Sequence, residues 1–145
     1  MSSSKARTRL TNEELQYMSL FGNFIKANPL DCVIFDDSVT FVVSQEWNAP
    51  LDRVEREALS QLSRILKKRI NIVKLSEDLT SFIKDVFFPV AVERVTVMEH
   101  SGRRGVQVKV PASKKGLAIG KEGSNIKRAR VLLNRYFQID EIRVV

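Results

Sequence analysis

Apolar and polar positions along this chain follow two rhythms, and the changes of rhythm mark its elements. From residue 11, Leu15, Met18, Phe21 (or Leu20) and Phe24/Ile25 recur at the three- and four-residue spacing of a helix face. Thr11 followed by Glu14 is a capping-box signature at its start, and Asn28-Pro29 closes it. Two β-rich runs follow, 32–35 and 39–43, parted by the turn-forming Asp36-Asp37-Ser38. Helical spacing returns over 54–68 through Val54, Ala58, Leu62, Ile65 and Leu66, and 70–75 reads as a strand. Ser76 then stands where it would cap a helix carrying Leu79, Phe82, Ile83, Val86 and Phe87, which Pro89 stops. The aromatic positions Phe82, Phe87 and Phe88 are expected to dock on a sheet.

The same rhythm then recurs. Residues 92–98 and 106–110 predict two strands joined by a polar turn over 99–105. Residues 114–119 predict a short helical turn. Residues 124–136 predict a helix facing inward with Ile126, Ala129, Leu132/Leu133 and Tyr136, and 142–145 a closing strand. Sliding the halves by 67 residues lays Phe41-Val42-Val43 on Val108-Lys109-Val110. It lays Leu59, Leu62, Ile65 and Leu66 on Ile126, Ala129, Leu132 and Leu133, and Ile70 and Ile72 on Phe137 and Ile139. The chain therefore reads as two copies of one α+β unit, ordered helix, two strands, helix–turn–helix, strand. The expected division is a flexible tail at 1–10, a first domain at 11–76 and a second at 77–145.

Charge separates the halves. Residues 1–90 hold twelve basic and twelve acidic side chains, whereas 91–145 hold twelve and five, so the net +7 lies entirely in the second half. A basic face of this kind attracts nucleic acid, because neutralised phosphates release counterions. A solubilising surface is the plainer explanation. A lone cysteine, Cys32, excludes an intramolecular disulfide and favours a reducing compartment. Without a signal-peptide core or an 18-residue apolar run, the chain reads as soluble and cytoplasmic, with no membrane role.

Candidate chemistry concentrates in "GLAIGKEGSNIKRAR", 116–130. Gly120 and Gly123 allow positive φ and close approach of backbone to a ligand. The following helix aims its free N–H groups at the loop. Lys121, Lys127, Arg128 and Arg130 supply cations. This is an anion-binding pattern, but not that of a nucleotide hydrolase. The Walker pattern needs Lys and a hydroxyl residue directly after its last glycine, where Ser124 and Asn125 stand, and the spacing of Gly116, Gly120 and Gly123 does not fit the dinucleotide fingerprint. Elsewhere His100 sits in a polar turn, Asp36-Asp37 are explained by a turn rather than a metal, and Cys32 by a core. Trp47 is read as packing at a domain edge, with stacking on a base as the alternative. No catalytic residue, metal or cofactor is expected.

The order of elements, with "IGKEGSNIKRA" between a strand and an amphipathic helix, resembles the K-homology (KH) domain, whose GxxG loop clamps a single-stranded backbone. A helix and strand placed before the helix–turn–helix look like the type II variant. Two fused units, together with "LTNEELQYMSLF" and "LSEDLTSFIKDVFFPVAV", resemble the archaeal NusA family of transcription factors. The resemblance implies an α+β fold of two tandem type II KH domains, each a small three-stranded sheet packed on helices. It implies Gly120, Lys121, Glu122 and Gly123 as the RNA-gripping loop and Ile119, Ser124, Asn125, Ile126 and Lys127 along its groove. Residues 106–110 would form the strand wall, and Lys114, Lys115, Arg128 and Arg130 would add a salt-sensitive contribution. Glu122 is expected to point to solvent. By the offset of 67 the first domain's loop falls at Arg53, Val54, Glu55 and Arg56, without glycines, which implies a scaffold or partner surface there. The implied partners are single-stranded RNA of a nascent transcript and RNA polymerase or another transcription factor, with action in termination or antitermination. The chain has no room for the polymerase-binding and S1-type domains of bacterial NusA. A ribosome-associated or RNA-processing KH protein, or a protein–protein adaptor, are the alternatives.

Overall fold

The computed structural model describes residues 10–47 and 53–145, which pack as two compact units, 10–76 and 77–145. Both are α+β, each with one three-stranded sheet packed on helices.

The first unit runs α1 (Asn12–Ile25), β1 (Asp31–Ile34), β2 (Ser38–Val43), α2 (Arg53–Leu66) and β3 (Arg69–Lys74). Thr11 caps α1 in a complete capping box: its hydroxyl accepts from the Glu14 N–H, and the Glu14 carboxylate accepts from the Thr11 N–H. β2 is central, antiparallel to β1 and parallel to β3, and buried along its whole length. Phe21 of α1 stacks on Phe41 of β2 with ring centroids 4.4 Å apart, and Ile25, Cys32, Val39, Val43 and Leu62 complete the core. Trp47 packs against this core. Each of the two phenyl groups contributes about 1.5–3 kcal/mol by leaving water. Leu15 and Val54, in the first turns of their helices, remain exposed, as does Ile65. On α2 the packed residues Leu59, Leu62 and Leu66 set the stripe, and Ile65 falls on its opposite flank.

The second unit runs α3 (Leu79–Phe87), β4 (Arg94–His100), β5 (Arg103–Lys109), α4 (Lys115–Ile119), α5 (Ser124–Phe137) and β6 (Glu141–Val144), with single 3₁₀ turns at Ala112–Lys114 and Lys121–Gly123. Here β5 is central, antiparallel to β4 and parallel to β6. Val106, Val108, Ile142 and Val144 form its inner face. Phe82 of α3 meets Tyr136 and Phe137 of α5 at 5.9 and 5.4 Å. Phe87 is buried too, but Phe88 lies beyond the helix and is 77% exposed, so it does not dock with them. The strands of the hairpin extend into the segment read as a polar turn, and only Ser101 and Gly102, both at positive φ, reverse the chain. Such a two-residue turn matches the twist of the strands it joins, so pairing continues to its edge.

Register corrects the constant offset of 67. Val39 pairs with Ile70, 31 residues further on, but Val106 pairs with Ile142, 36 further on. Ile70 therefore matches Ile142 rather than Phe137. The helices match at an offset of 71: both end in a left-handed cap, Lys67 and Gln138, and Ser63 bonds the Lys68 carbonyl as Asn134 bonds that of Ile139. The aligned core pairs are thus Ala58 with Ala129 and Leu62 with Leu133. Four extra residues lie between the central strand and long helix of the second unit.

The N-cap of α3 is Asp78, not Ser76, because the Asp78 carboxylate reaches the N3 position, accepting from the Ser81 hydroxyl at 2.7 Å and its N–H at 2.9 Å. Those two bonds, the hydroxyl's first, hold the Asp78 carboxyl below its ordinary range. A depressed folded-state pKa stabilises fully above the unfolded value and less as pH falls through the folded one. Asp78→Ala is therefore expected to lower the thermal midpoint at neutral pH, with the gap closing as pH drops below about 4. Paired melts across that range check it; a gap of constant size would contradict the assignment.

Candidate nucleic-acid interface

The site is built on the loop between α4 and α5. Gly120 takes φ 83°, Glu122 56° and Gly123 75°, so three of four consecutive residues lie at positive φ. At Gly120 a Cβ would stand 2.8 Å from both the Asn125 backbone nitrogen and Ser124 Oγ, so only glycine fits. At Gly123 nothing would meet a Cβ nearer than Lys127 Cε at 4.0 Å, and the demand there is conformational alone. The loop is closed from within: the Gly120 N–H donates to the Gly116 carbonyl at 2.9 Å and the Gly123 N–H to that of Gly120 at 3.0 Å. Asn125 Nδ2 donates to the Leu117 carbonyl at 2.8 Å, tying the start of α5 back onto α4. No side chain caps α5, so the positive end of a 14-residue helix opens at the loop.

Of the residues singled out from sequence, Lys114, Lys115, Lys121 and Lys127 are exposed around this loop, as is Glu122, Arg130 is exposed further along α5, and Ile119, Ser124 and Ile126 are half-buried. Asn125 holds the loop through the bond just described. Arg128 departs from the expected set. It is 7% exposed, and its guanidinium donates at 3.1 Å to the carbonyl of Val86 in the last turn of α3. A cation at a helix C-terminus satisfies an orphan carbonyl and complements the dipole, so Arg128 serves the fold. In the strand expected to wall the groove, Val106, Val108 and Val110 are buried, and an opening beside α5 is lined by Met98, Val106, Arg130, Glu141, Ile142 and Arg143.

Sequence reasoning missed Leu117, which is 60% exposed on α4 and adds apolar surface beside the loop. A five-residue helix is too short for periodicity to reveal which side faces out. It also misplaced the first unit's loop. Arg53, Val54, Glu55 and Arg56 lie inside α2, matching Ser124–Lys127. At the helical offset of 71, Gly120–Gly123 correspond to Ala49, Pro50, Leu51 and Asp52, outside the described residues and likewise without glycine. Among the described residues no three His, Cys, Asp or Glu side chains gather as a metal site, and no helix is long and apolar enough to cross a membrane.

Residues 79–145 match the family model described as the NusA-like second KH domain. Over 133 residues the chain is 31% identical to the "Probable transcription termination protein NusA" of Thermoplasma acidophilum, covering 92% of each. The chain belongs to the archaeal NusA family. The Halobacterium salinarum NusA of the same description is 32% identical over 138 residues, 94% of this chain and 97% of that one. The crystal structure of APE1850 superposes with a TM-score of 0.77 at 32% identity, covering 94% of this chain and 100% of the other. Set against these NusA relatives, the glycine loop lies within the segment matched as a KH domain.

The two glycines of this NusA loop should respond unequally. Gly120→Ala adds a backbone clash to an unfavourable φ and is expected to destabilise the second unit by more than about 2 kcal/mol. Gly123→Ala meets only the conformational penalty, about 1–2 kcal/mol. Urea unfolding of both variants checks the order, and equal losses would count against the steric reading.

Proposed function

We propose that both units are type II KH domains and that the second holds single-stranded RNA by its sugar–phosphate backbone, in transcription termination or antitermination. The observation that carries this is the loop itself. Three positive-φ residues open the backbone at the uncapped start of α5, with exposed lysines on both sides. Backbone N–H groups and a helix N-terminus bind phosphate oxygens, and glycine lets the strand come close. Lys114, Lys115, Lys121 and Lys127 add long-range attraction, while Leu117, Ile119 and Ile126 offer apolar surface to unstacked bases. The type II assignment rests on element order and on the parallel pairing of the last strand with the central one in both units.

This division of labour gives the first unit a lesser part in RNA binding: it lacks the loop glycines, and residues 11–76 carry eight basic against nine acidic side chains. The relatives' description as termination proteins supplies the setting, with a nascent transcript as ligand and the transcription machinery as partner.

Binding of a single-stranded RNA oligomer, followed by fluorescence anisotropy, tests the reading. Gly123→Asp fits sterically and sets a carboxylate where a phosphate would lie, so affinity should fall at least about tenfold, or 1.4 kcal/mol. Arg56→Asp should cost much less, and equal losses would overturn the asymmetry. Salt titration separates the two interior-helix cations: Lys127→Ala should flatten the slope by about 0.7, one single-strand phosphate contact. Arg128→Ala should leave the slope unchanged but lower stability by about 1–3 kcal/mol, because the Val86 carbonyl loses its partner.

A further inference from the structure

At the other end of α5 the chemistry changes from lysine to arginine. Arg103 of the β4–β5 hairpin, Arg130, Val131, Asn134 and Arg135 of α5, and Asp140 of the following turn line an open pocket of about 400 Å³. Arg130 also lines an opening beside β6. We infer that this arginine pocket is a second phosphate-binding site on the same RNA, occupied by backbone that extends past the grip of the glycine loop.

The lining holds three arginines and one acidic residue. The acidic residue is Asp140, and its carboxylate already accepts from the Arg104 N–H at 3.0 Å, a bond that pins the hairpin to the α5–β6 turn. The fold does not require two of these arginines. At the matching positions of the first unit Arg103 becomes Asp36 and Arg130 becomes Leu59, while Arg135 matches Arg64, and a hairpin, helix and strand of the same order form around them. The planar fork of arginine suits a phosphate held in fixed geometry, whereas the lysines around the loop act as mobile point charges. From Ser124 the axis of α5 advances about 9 Å to Arg130 and about 16 Å to Arg135, so the pocket lies beyond the loop along the helix. RNA that crosses it is longer than the four nucleotides a GxxG loop clamps.

The inference rests on the RNA-binding reading, and one experiment separates their failures. Affinities are measured for single-stranded oligomers of about five and about twelve nucleotides, within the range such surfaces hold. The parent chain should bind the longer oligomer at least about tenfold more tightly and with a steeper salt dependence. Arg103→Ala and Arg135→Gln, each tested alone, should lose most of that gain, with slopes flatter by about 0.7 each. Both should keep the parent's affinity for the short oligomer, which also reports that they fold. A length gain that survives in both variants, or no gain in the parent, overturns this site while leaving the loop's role intact. Failure of the parent to bind either oligomer overturns the RNA reading itself.

Discussion

The missing Cβ at Gly120 is the constraint on which the site depends. With 2.8 Å between that position and both the Asn125 nitrogen and Ser124 Oγ, α5 can begin only where the loop backbone lies flat against it. Asn125 then reaches back to Leu117, and the closing bonds from Gly120 and Gly123 consume the loop's inner carbonyls. What is left facing out is backbone, the uncapped first turn of α5 and the lysines. The proposed ligand-binding surface is thus the outer face of a compact joint between two helices, and its shape follows from packing before any ligand arrives.

The two units solve one further problem by different chemistry. In each, the hairpin must be fastened to the turn that leads into the last strand. The first unit uses the Lys68 ammonium, which donates to the carbonyls of Phe35 and Asp36 at 2.6 and 2.9 Å, with Arg69 facing Asp37 at 3.5 Å. The second uses the Asp140 carboxylate on the Arg104 N–H, and the Arg104 guanidinium donates to the Phe137 carbonyl at 3.0 Å. A cation from the turn meets carbonyls in one, and an anion from the turn meets an N–H in the other. Fold-level demands are met by any well-placed donor and acceptor, so residues that differ between the units mark where the chain is free to serve something else.

Much of this was legible in the amino-acid order, for identifiable reasons. The α1 cap was written locally, in Thr11 and Glu14, and the strand cores in the β-branched runs around Phe41 and Val108. The loop was legible because glycine spacing is a backbone signal. Arg128 was not, since nothing local distinguishes an arginine that reaches a distant carbonyl from one that reaches a ligand; Val86 lies 42 residues away. The register of the repeat was lost for a related reason. A constant offset matches apolar residues to apolar residues even after four have been inserted, because helix and strand patterns tolerate slippage until hydrogen bonds fix the partner. The arginine pocket joins a hairpin to a helix and turn 27 or more residues later, a juxtaposition that only the sheet creates.

Charge counting alone would overstate the electrostatic part of this surface. Arg128 belongs to the basic excess after residue 90 yet contributes it inward, to the end of α3. Arg104 likewise directs its guanidinium to a carbonyl of its own unit. Among the other cations, four lysines stand around the loop and three arginines line the pocket beyond it, and the two groups act through different physics. Lysines raise the local concentration of a polyanion and are screened within about 8–10 Å at ordinary salt. Arginines add a planar fork that holds a phosphate in fixed geometry. On the proposed reading, a surface arranged this way captures a strand at one end of α5 and sets its direction at the other.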